Sequence, residues 1–414
     1  MVHDVSRTFM WLFTFSMNLA QKHFEIPTRY NCTYKPRNIL QALTFISLET
    51  TYAEGGLKRL ARKLRRANQQ SKKQHNQRRK KQRRKLRNAP DGDTILLRLK
   101  QISRQKAKSM LCKLNRQVLA AAKRKGAFTK KVIVAIDLTF IPYYGKKISQ
   151  YVVGGKPKKG TSYFHCWATL RIVTAGRRFT IKARPVKRDE LDAAAMAKVV
   201  LELLGEAKTC GIHVDLVLLD KGFCWREVIA ALNGSGCKFL CAAKRDKAVK
   251  AAILDYFRTG KGQVRRYSRG KGAEKVRFNL SIHRFKKRKR KRVRNILELY
   301  GAFATNLGFK EAVRVWSRLP QDYRRRWGIE TGYRVDGDFR AKTTSTDERL
   351  RFIYYQYMVF LENLWTLHNM CEAKRHGVVL DEVKKLTVTG EAFCEDFVHL
   401  LVTAYDRGPP WFTA

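Results

Sequence analysis

The sequence predicts an α/β chain, in which a mixed sheet with flanking helices is interrupted by a β-rich insertion and preceded by a helical, strongly basic region. Three observations support this class. Residues 1–125 carry helical periodicity and many basic residues, whereas extended apolar runs begin near Lys130. Those runs first follow one another and then alternate with helices, which is the order of a mixed sheet. Residues 247–299 are rich in Gly and charge and have alternating segments, which is typical of a β-rich insertion.

Length and composition restrict the function. The chain has 414 residues, of which 44% are apolar, enough for two or three domains with cores of their own. Its formal net charge of +53 indicates a polyanionic partner, since each neutralised phosphate releases condensed counterions. The apolar run "FMWLFTFSMNLA" is shorter than the roughly 20 residues of a membrane span and lacks the basic flank of a signal peptide. We therefore expect no membrane partner.

The nine cysteines are scattered and contain no CxxC pair, so they favour reduced thiols in a cytoplasmic protein over a zinc site or a disulfide framework.

The first region, residues 1–125, is predicted to be helical and to bind DNA. Helices on either side of Ala53–Gly56 would suit a helix-turn-helix, in which a glycine permits the tight turn. Residues 58–87 contain 16 Lys or Arg and no acid, a density that favours contact with nucleic acid. A solvated linker or a localisation tract is the alternative for this stretch.

The rest of the chain is divided where the residue pattern changes between strand-like and helical. Residues 126–246 form the first part of the predicted core, with buried strands such as "KKVIVAIDLTF" and "IHVDLVLLDKGF". Residues 247–299 are the insertion, and "ELYGAFATNL" follows as its closing strand. The second part of the core is 300–374, where helical texture dominates, and 375–414 form a C-terminal helical cap.

Three acids occupy positions that suggest chemistry. Asp137 and Asp220 each end an apolar strand, and such carboxylates gather at the carboxyl edge of an α/β sheet. Glu330 shares one helical stripe with Tyr323 and Arg326, at spacings i, i+3 and i+7. Each acid alone has a structural alternative: a turn or N-cap aspartate for the first two, and a salt-bridged glutamate for the third.

Together, the three carboxylates match the oxygen ligands that a pair of hard divalent cations requires. Two such ions activate an attacking oxygen and stabilise a leaving one in phosphoryl displacement. The arginines beside Glu330 would then contact phosphates.

With these residues assembled, the chain resembles the DDE transposases of insertion sequences, and within them the type-four branch that carries a Tyr-x2-Arg-x3-Glu signature. The resemblance rests on "DLTF" from Asp137, "LLDKGF" around Asp220, and "YRRRWGIE" with Tyr323, Arg326 and Glu330. It covers about residues 130–370. In that branch a β-rich insertion separates the second and third acids, and here 109 residues lie between them.

The resemblance implies an RNase H-like core with a mixed five-stranded sheet. It further implies two Mg²⁺ or Mn²⁺ ions, with Asp137 bridging both and Asp220 and Glu330 completing one each. Tyr323 and Arg326 would hold the scissile phosphate. Cleavage at the element ends and strand transfer into target DNA would follow, in an active homodimer associated with the nucleoid of a prokaryotic cytoplasm.

One position departs from the signature, which normally continues with a lysine seven residues after the glutamate. Here that residue is Gly337, so the basic role is assigned to Lys342, with Arg340 as the alternative. Trp225 and Trp327 are candidates for stacking on a distorted base, with core or interface packing as the alternative.

Two other functions remain open from the sequence. An RNase H-like nuclease or resolvase would cut DNA without joining it. A non-catalytic nucleic-acid-binding protein would need only the basic tract.

Overall fold

The computed structural model of the protein describes residues 6–28, 30–75, 89–146, 149–174, 176–285, 295–379 and 388–405. The chain separates into two compact units. The helical unit comprises Met1–Ala127, Ala175–Phe179 and Gly332–Ala414, and the sheet unit comprises Phe128–Thr174 and Thr180–Thr331. Among the helices described, none has the length and apolarity needed to cross a bilayer. Residues 58–75 of the predicted basic tract lie in a helix, and residues 76–87 of that tract lie outside the described residues.

The helices are α1 (Arg7–His23), α2 (Pro36–Leu48), α3 (Ala53–His75), α4 (Gly92–Lys100), α5 (Arg104–Arg124), α6 (Ala193–Thr209), α7 (Arg226–Gly234), α8 (Lys247–Thr259), α9 (Phe309–Arg314), α10 (Leu319–Arg324), α11 (Trp327–Asp336), α12 (Glu348–Arg375) and α13 (Gly390–Thr403). The strands are β1 (Val132–Pro142), β2 (Val152–Lys158), β3 (Thr161–Ile172), β4 (Thr180–Pro185), β5 (Val214–Leu219), β6 (Phe239–Ala242), β7 (Val264–Arg269), β8 (Val276–Arg284) and β9 (Tyr300–Thr305).

The helical unit is built around α12, which is buried on nearly every side. It packs against α1, α4 and α5. Because polar groups on such a helix cannot reach water, they need internal partners. Asn363 donates to the Asn115 side chain at 2.6 Å, and the hydroxyls of Tyr357 and Thr44 lie 2.7 Å apart. These buried contacts fix the position of α12 within the unit.

The turn predicted at Ala53–Gly56 is wrong, because α3 already begins at Ala53. The chain turns at 49–52 instead, where Thr50 has a φ of 46°. Gly56 serves packing: a Cβ there would lie 2.4 Å from Thr51 and 2.9 Å from Ile46. The glycine therefore permits a close approach of α3 to α2 and does not make the turn.

The sheet unit contains one mixed sheet, which confirms the α/β class. Its strand order is β2-β3-β1-β5-β6-β9-β8-β7, and β4 pairs with β3 on the same edge as β2, further along the strand. Strand β5 runs parallel to β1 and β6, whereas the outer pairs are antiparallel. Helix α6 packs on β3 and β4, and α8 packs on β9.

The predicted five-stranded sheet is wrong in size, since the described sheet has nine strands. Strand β9 pairs with β6, and β8 and β7 continue from β9, so the predicted insertion extends the sheet. The insertion also begins with a helix, α8, and not with a strand. Pairing with β9 covers the edge of β6 and leaves β7 as the edge strand on this side of the sheet. The other domain boundaries stay predictions.

Candidate active site

Asp137 and Asp220 lie side by side at one edge of the parallel part of the sheet. Strands β1 and β5 are paired in parallel as far as Ile136 and Leu219, and each aspartate is the next residue. Asp220 leaves its strand and caps the turn that follows, with its Oδ1 accepting from the Lys221 amide at 2.7 Å. The sequence prediction that the two carboxylates gather at one edge agrees with this register.

Asp137 differs from the prediction in one respect, because its strand does not end there. Strand β1 continues to Pro142 through antiparallel pairing with β3, in which Asp137 faces Thr169. The β-branched and aromatic residues of "LTFIP" favour the extended conformation, so β1 passes beyond the point where β5 stops. Asp137 is thereby held by pairing with β3, directly after the residue at which pairing with β5 ends.

The surroundings of Asp137 oppose its negative charge. Burial raises the pKa of this carboxyl to about 6, and the neighbouring charges of Asp220 and Glu330 act in the same direction. The Leu138 amide, which donates to Oδ1 at 2.8 Å, and the Arg326 guanidinium lower the pKa only in part. An incompletely compensated, buried carboxylate in a polar cluster is typical of functional sites.

The segment that carries Glu330 is not the single helix that the stripe predicts. Helix α10 ends at Arg324 and α11 begins at Trp327. The amides of Arg326, Gly328 and Ile329 donate to carbonyls three residues earlier, at 3.0, 2.9 and 2.9 Å. These tighter turns join the two helices and preserve the contact between the three signature side chains.

Arg326 connects the acids of the strand and the helix. Its Nη1 lies 3.2 Å from Asp137 Oδ2 and its Nη2 lies 2.6 Å from Glu330 Oε1. Arg326 is buried, and the Asp137 side chain is 17% exposed, whereas that of Glu330 is 51% exposed. The salt-bridge alternative for Glu330 therefore holds in one respect, since the glutamate does pair with an arginine. That arginine, however, also pairs with Asp137.

Tyr323 completes this cluster. Its ring lies 4.8 Å from that of Phe303 on β9, and the Arg326 guanidinium carbon lies 5.8 Å from its centroid. Burial raises the pKa of the phenol, so the hydroxyl stays neutral and can donate a hydrogen bond near neutral pH. The structure thus brings Tyr323, Arg326 and Glu330 together with Asp137 in the sheet unit.

Four further residues are predicted for the site: Lys342, Arg340, Trp225 and Trp327. Lys342 belongs to the helical unit, where its amide donates to the Thr51 carbonyl at 3.0 Å and its side chain is exposed. Arg340 belongs to the same unit. In the sheet unit, Trp327 is 58% exposed, whereas Trp225 is partly buried with the Lys244 amine 4.7 Å from its ring centroid.

Sequence reasoning missed the group that supports Asp220. Cys241 on β6 donates its thiol to the Asp220 carbonyl at 3.3 Å. Arg269 on β7 donates to the Cys224 carbonyl at 2.7 Å and approaches the Cys224 sulfur at 3.4 Å. The hydrogen bond from Cys241 and the nearby Arg269 charge lower the pKa of Cys224. No local pattern in the sequence signals these contacts, because they join residues 21 and 45 positions apart.

The donor set suits a hard divalent cation, which in proteins is bound by one or two carboxylates with water and substrate phosphate as further ligands. Asp137 and Asp220 supply that pair, and the raised pKa of Asp137 shows that added positive charge would stabilise its ionised form. In the described residues, no three acidic, histidine or cysteine side chains converge on a common metal position. Glu330 is held by Arg326.

Comparisons with known proteins show a family for this chain and a similar fold. A family model described as a transposase DDE domain matches residues 128–353, which is more than half of the chain. The structure is similar to that of a piggyBac transposase synaptic complex with hairpin DNA, with a TM-score of 0.52, 10% identity, and coverage of 97% of this chain and 78% of that one. At that identity, the similarity concerns the fold alone.

A Mos1 transposase paired-end complex with the left transposon end covers 54% of this chain and 64% of its own, at 13% identity and a TM-score of 0.19, too low to support an argument. No curated protein matches the sequence.

Proposed function

Because the chain belongs to the transposase DDE domain family, we propose that it cuts DNA at the ends of a mobile element and transfers the freed 3′ ends into target DNA. The observation that carries this proposal is the meeting of Asp137, Asp220 and the Arg326–Glu330 pair at one edge of the sheet. The Tyr-x2-Arg-x3-Glu spacing supports membership of the type-four insertion-sequence branch. The mixed sheet with two adjacent aspartates supports an RNase H-like core.

Each side chain has a proposed role that follows from its surroundings. Asp137, Asp220 and Glu330 would hold two Mg²⁺ or Mn²⁺ ions, with Asp137 shared between them. When bound, such ions activate the attacking oxygen and stabilise the leaving oxygen of a phosphodiester. Asp137 suits the shared position, because burial leaves its negative charge incompletely compensated.

Arg326 and Tyr323 would hold the scissile phosphate. The guanidinium offers donors in a planar fork that matches phosphate geometry, and its two carboxylate partners keep it oriented. The neutral Tyr323 hydroxyl adds a donor beside it. The proposed reaction uses no histidine or serine to activate the attacking water or 3′-hydroxyl. It proceeds by direct attack on the phosphodiester, without a covalent enzyme intermediate.

Double-stranded DNA is the proposed partner, since the net charge of +53 suits a polyanion. Two DNA ends must meet before joint transfer, so we propose that a homodimer is the active form. A prokaryotic nucleoid is the corresponding location.

The proposal is tested with duplexes from the inverted repeats that flank the gene, supplied uncut and pre-cut, with Mg²⁺ and a supercoiled target plasmid. We expect cleavage and joining by the intact chain. Asp137→Asn, Asp220→Asn and Glu330→Gln should each lower the rate by at least about 10³-fold, because each removes a carboxylate that stabilises the transition state by several kcal/mol.

Asp215→Asn is the matched control, since this exposed aspartate lies on the same strand that leads to Asp220. It should leave cleavage and joining unchanged. Cleavage without joined product from pre-cut ends would favour a nuclease or resolvase. DNA binding with no metal-dependent cleavage would favour a non-catalytic binding protein.

A further inference from the structure

The hairpin formed by β2 and β3 projects a basic tip from the same sheet that carries Asp137. Lys158 pairs with Thr161, so the turn consists of Lys159 and Gly160. Before the turn, three residues of β2, Gly155–Pro157, lie opposite a single residue of β3. Lys156, in the middle of these three residues, is exposed. The tip therefore presents three lysines within four positions.

The first residue of the turn is a lysine in a backbone conformation that glycine adopts at a lower energy. Lys159 has a φ of 51° and Gly160 a φ of 79°, the pattern of a tight hairpin turn that prefers Asn, Asp or Gly at both positions. Only one other non-glycine residue in the described part of the chain has a positive φ. A side chain held in this conformation at a conformational cost points to a function for that side chain.

The tip is held rigidly from two sides. The Tyr144 hydroxyl donates to the Lys159 carbonyl at 2.9 Å, and its ring is 67% exposed. The Thr161 hydroxyl donates to the Tyr143 carbonyl at 2.7 Å, and the Tyr143 amide donates to the Tyr163 carbonyl at 2.9 Å. Tyr143 itself is buried against His165. The lysines are thus presented on an ordered support.

The charge of this region is unbalanced. The sequence contains no acid between Asp137 and Asp189. Within the part of the chain that the structure describes, Lys156, Lys158 and Lys159 form no ion pair with a carboxylate, although elsewhere exposed lysines such as Lys238 do. Exposed cations on an ordered support favour a polyanion whose charges are regularly spaced.

The register of the sheet measures how far the tip lies from the acids. Asp137 is paired with Thr169 and Lys158 with Thr161, so the two pairs are separated by eight residues of β3. At about 3.3 Å per residue, this is about 26 Å along the strand. A duplex whose axis runs along β3 covers this length in about eight base steps, at about 3.4 Å each.

We propose that Lys156, Lys158 and Lys159, braced by Tyr144, bind the phosphate backbone of the DNA duplex that is being cleaved, about eight base pairs from the scissile phosphate. This proposal rests on the proposed function, because that function places the scissile phosphate at Asp137. Lysine amines recognise the backbone as point charges, so this contact fixes the position and not the sequence of the DNA.

Position is tested by cross-linking, in the full-length Asp137→Asn chain so that the DNA stays intact. Lys158→Cys is combined with end duplexes that carry an activated disulfide on a tether about two, eight or fourteen base pairs from the scissile phosphate, so that the cysteine displaces a thiol. We expect the strongest disulfide cross-link at eight. Equal cross-linking at all three positions, or none at eight, would overturn the proposal. The chain with lysine at position 158 measures the background from native cysteines.

Affinity is tested with Lys156→Ala, Lys158→Ala and Lys159→Gly combined. Loss of three phosphate contacts should lower the salt slope of binding by about two to three units and the affinity at 0.15 M salt by about 10²-fold. Lys159→Gly removes charge while suiting the turn, so the Tm should not fall. A normal Tm with unchanged binding would refute the contact.

The matched control removes the same charge from exposed lysines elsewhere in the sheet unit, by Lys131→Ala, Lys198→Ala and Lys208→Ala. Its salt slope should change by less than one unit, because these lysines make no proposed contact. An equal loss in this control would show a general charge effect and count against the hairpin site. Failure of the intact chain to cleave ends at all would contradict the proposed function, whereas cleavage without the eight-base-pair cross-link contradicts the hairpin alone.

Discussion

Asp137 and Glu330 share one guanidinium, yet they are held in opposite ways. Asp137 lies within strand β1, paired with β3 and adjacent to the last pair with β5, is largely buried, and has a pKa raised to about 6. Glu330 lies in the first turn of α11, after a break between two short helices, and half of its side chain is exposed. The strand supplies a fixed carboxylate whose charge is costly, and the helix supplies a carboxylate that is easily solvated.

Arg326 pairs with these two carboxylates in different surroundings. Its contact with Asp137 at 3.2 Å is longer than its contact with Glu330 at 2.6 Å, but only the first joins two side chains that are both shielded from water. Surface ion pairs contribute about 0–1 kcal/mol, whereas breaking a buried pair costs about 3–5 kcal/mol. The longer contact is therefore the one on which the stability of the site depends.

The largest expected effect follows from removing this shared cation. Arg326→Gln leaves Asp137 without its main counter-charge, so we expect a loss of about 2–3 kcal/mol in the free energy of unfolding at neutral pH, somewhat below the range for a fully buried pair. Urea unfolding without divalent cations measures it. The loss should shrink below pH 6, because Asp137 can then take up a proton.

Two further variants separate the contributions of the two ion pairs. Glu330→Gln breaks only the solvated pair and should change the free energy of unfolding by less than about 1 kcal/mol. In an Asp137→Asn background, Arg326→Gln should cost less than half of its usual amount, since the buried charge is gone. Equal losses for Glu330→Gln and Arg326→Gln would show that the two carboxylates are held alike.

The next effect concerns pH. The folded-state pKa of Asp137 lies above its ordinary value of 3.8, so between pH 4 and 6 the folded protein binds more protons than the unfolded chain. Stability from this group is therefore present at low pH and lost as pH rises to 6, by about 2–3 kcal/mol. Asp137→Asn should remove that fall, as seen in urea unfolding at pH 4.5 and 7.5 without divalent cations.

Asp215→Asn serves again as the control, because this aspartate is exposed on β5 and should leave the fall in place. The same fall in the Asp137→Asn protein would mean that another group causes it.

The sequence could predict this arrangement only where it depends on local patterns. Apolar strands ending in acids, with a helix between later strands, sufficed to bring Asp137 and Asp220 to one sheet edge. The signature residues are also in contact as the spacing predicts, although they lie on two helices and the turn between them and not on one helix. In each case the relevant neighbours are a few residues apart or follow from parallel pairing.

What was missed depends on pairing between distant segments. The continuation of β1 to Pro142 requires β3 as a partner, and the nine-stranded sheet requires β9 to pair with β6. The support of Asp220 by Cys241 comes from the register of neighbouring strands. Sequence periodicity gives the face of a strand but not its partner, so these contacts could not be read in advance.

A smaller change in the cleavage rate is expected from the basic residue that follows Glu330 in the signature. Lys342→Ala should slow cleavage about tenfold, the loss of one charge-assisted contact of about 1.4 kcal/mol. Gly337 is exposed, and a Cβ there meets nothing within 4 Å, so a lysine fits at the position where the signature expects it. If Lys342 has taken over that role, Gly337→Lys should restore the rate of Lys342→Ala, while Arg340→Ala alone leaves it unchanged. A slow Arg340→Ala protein beside a normal Lys342→Ala protein would transfer the role to Arg340.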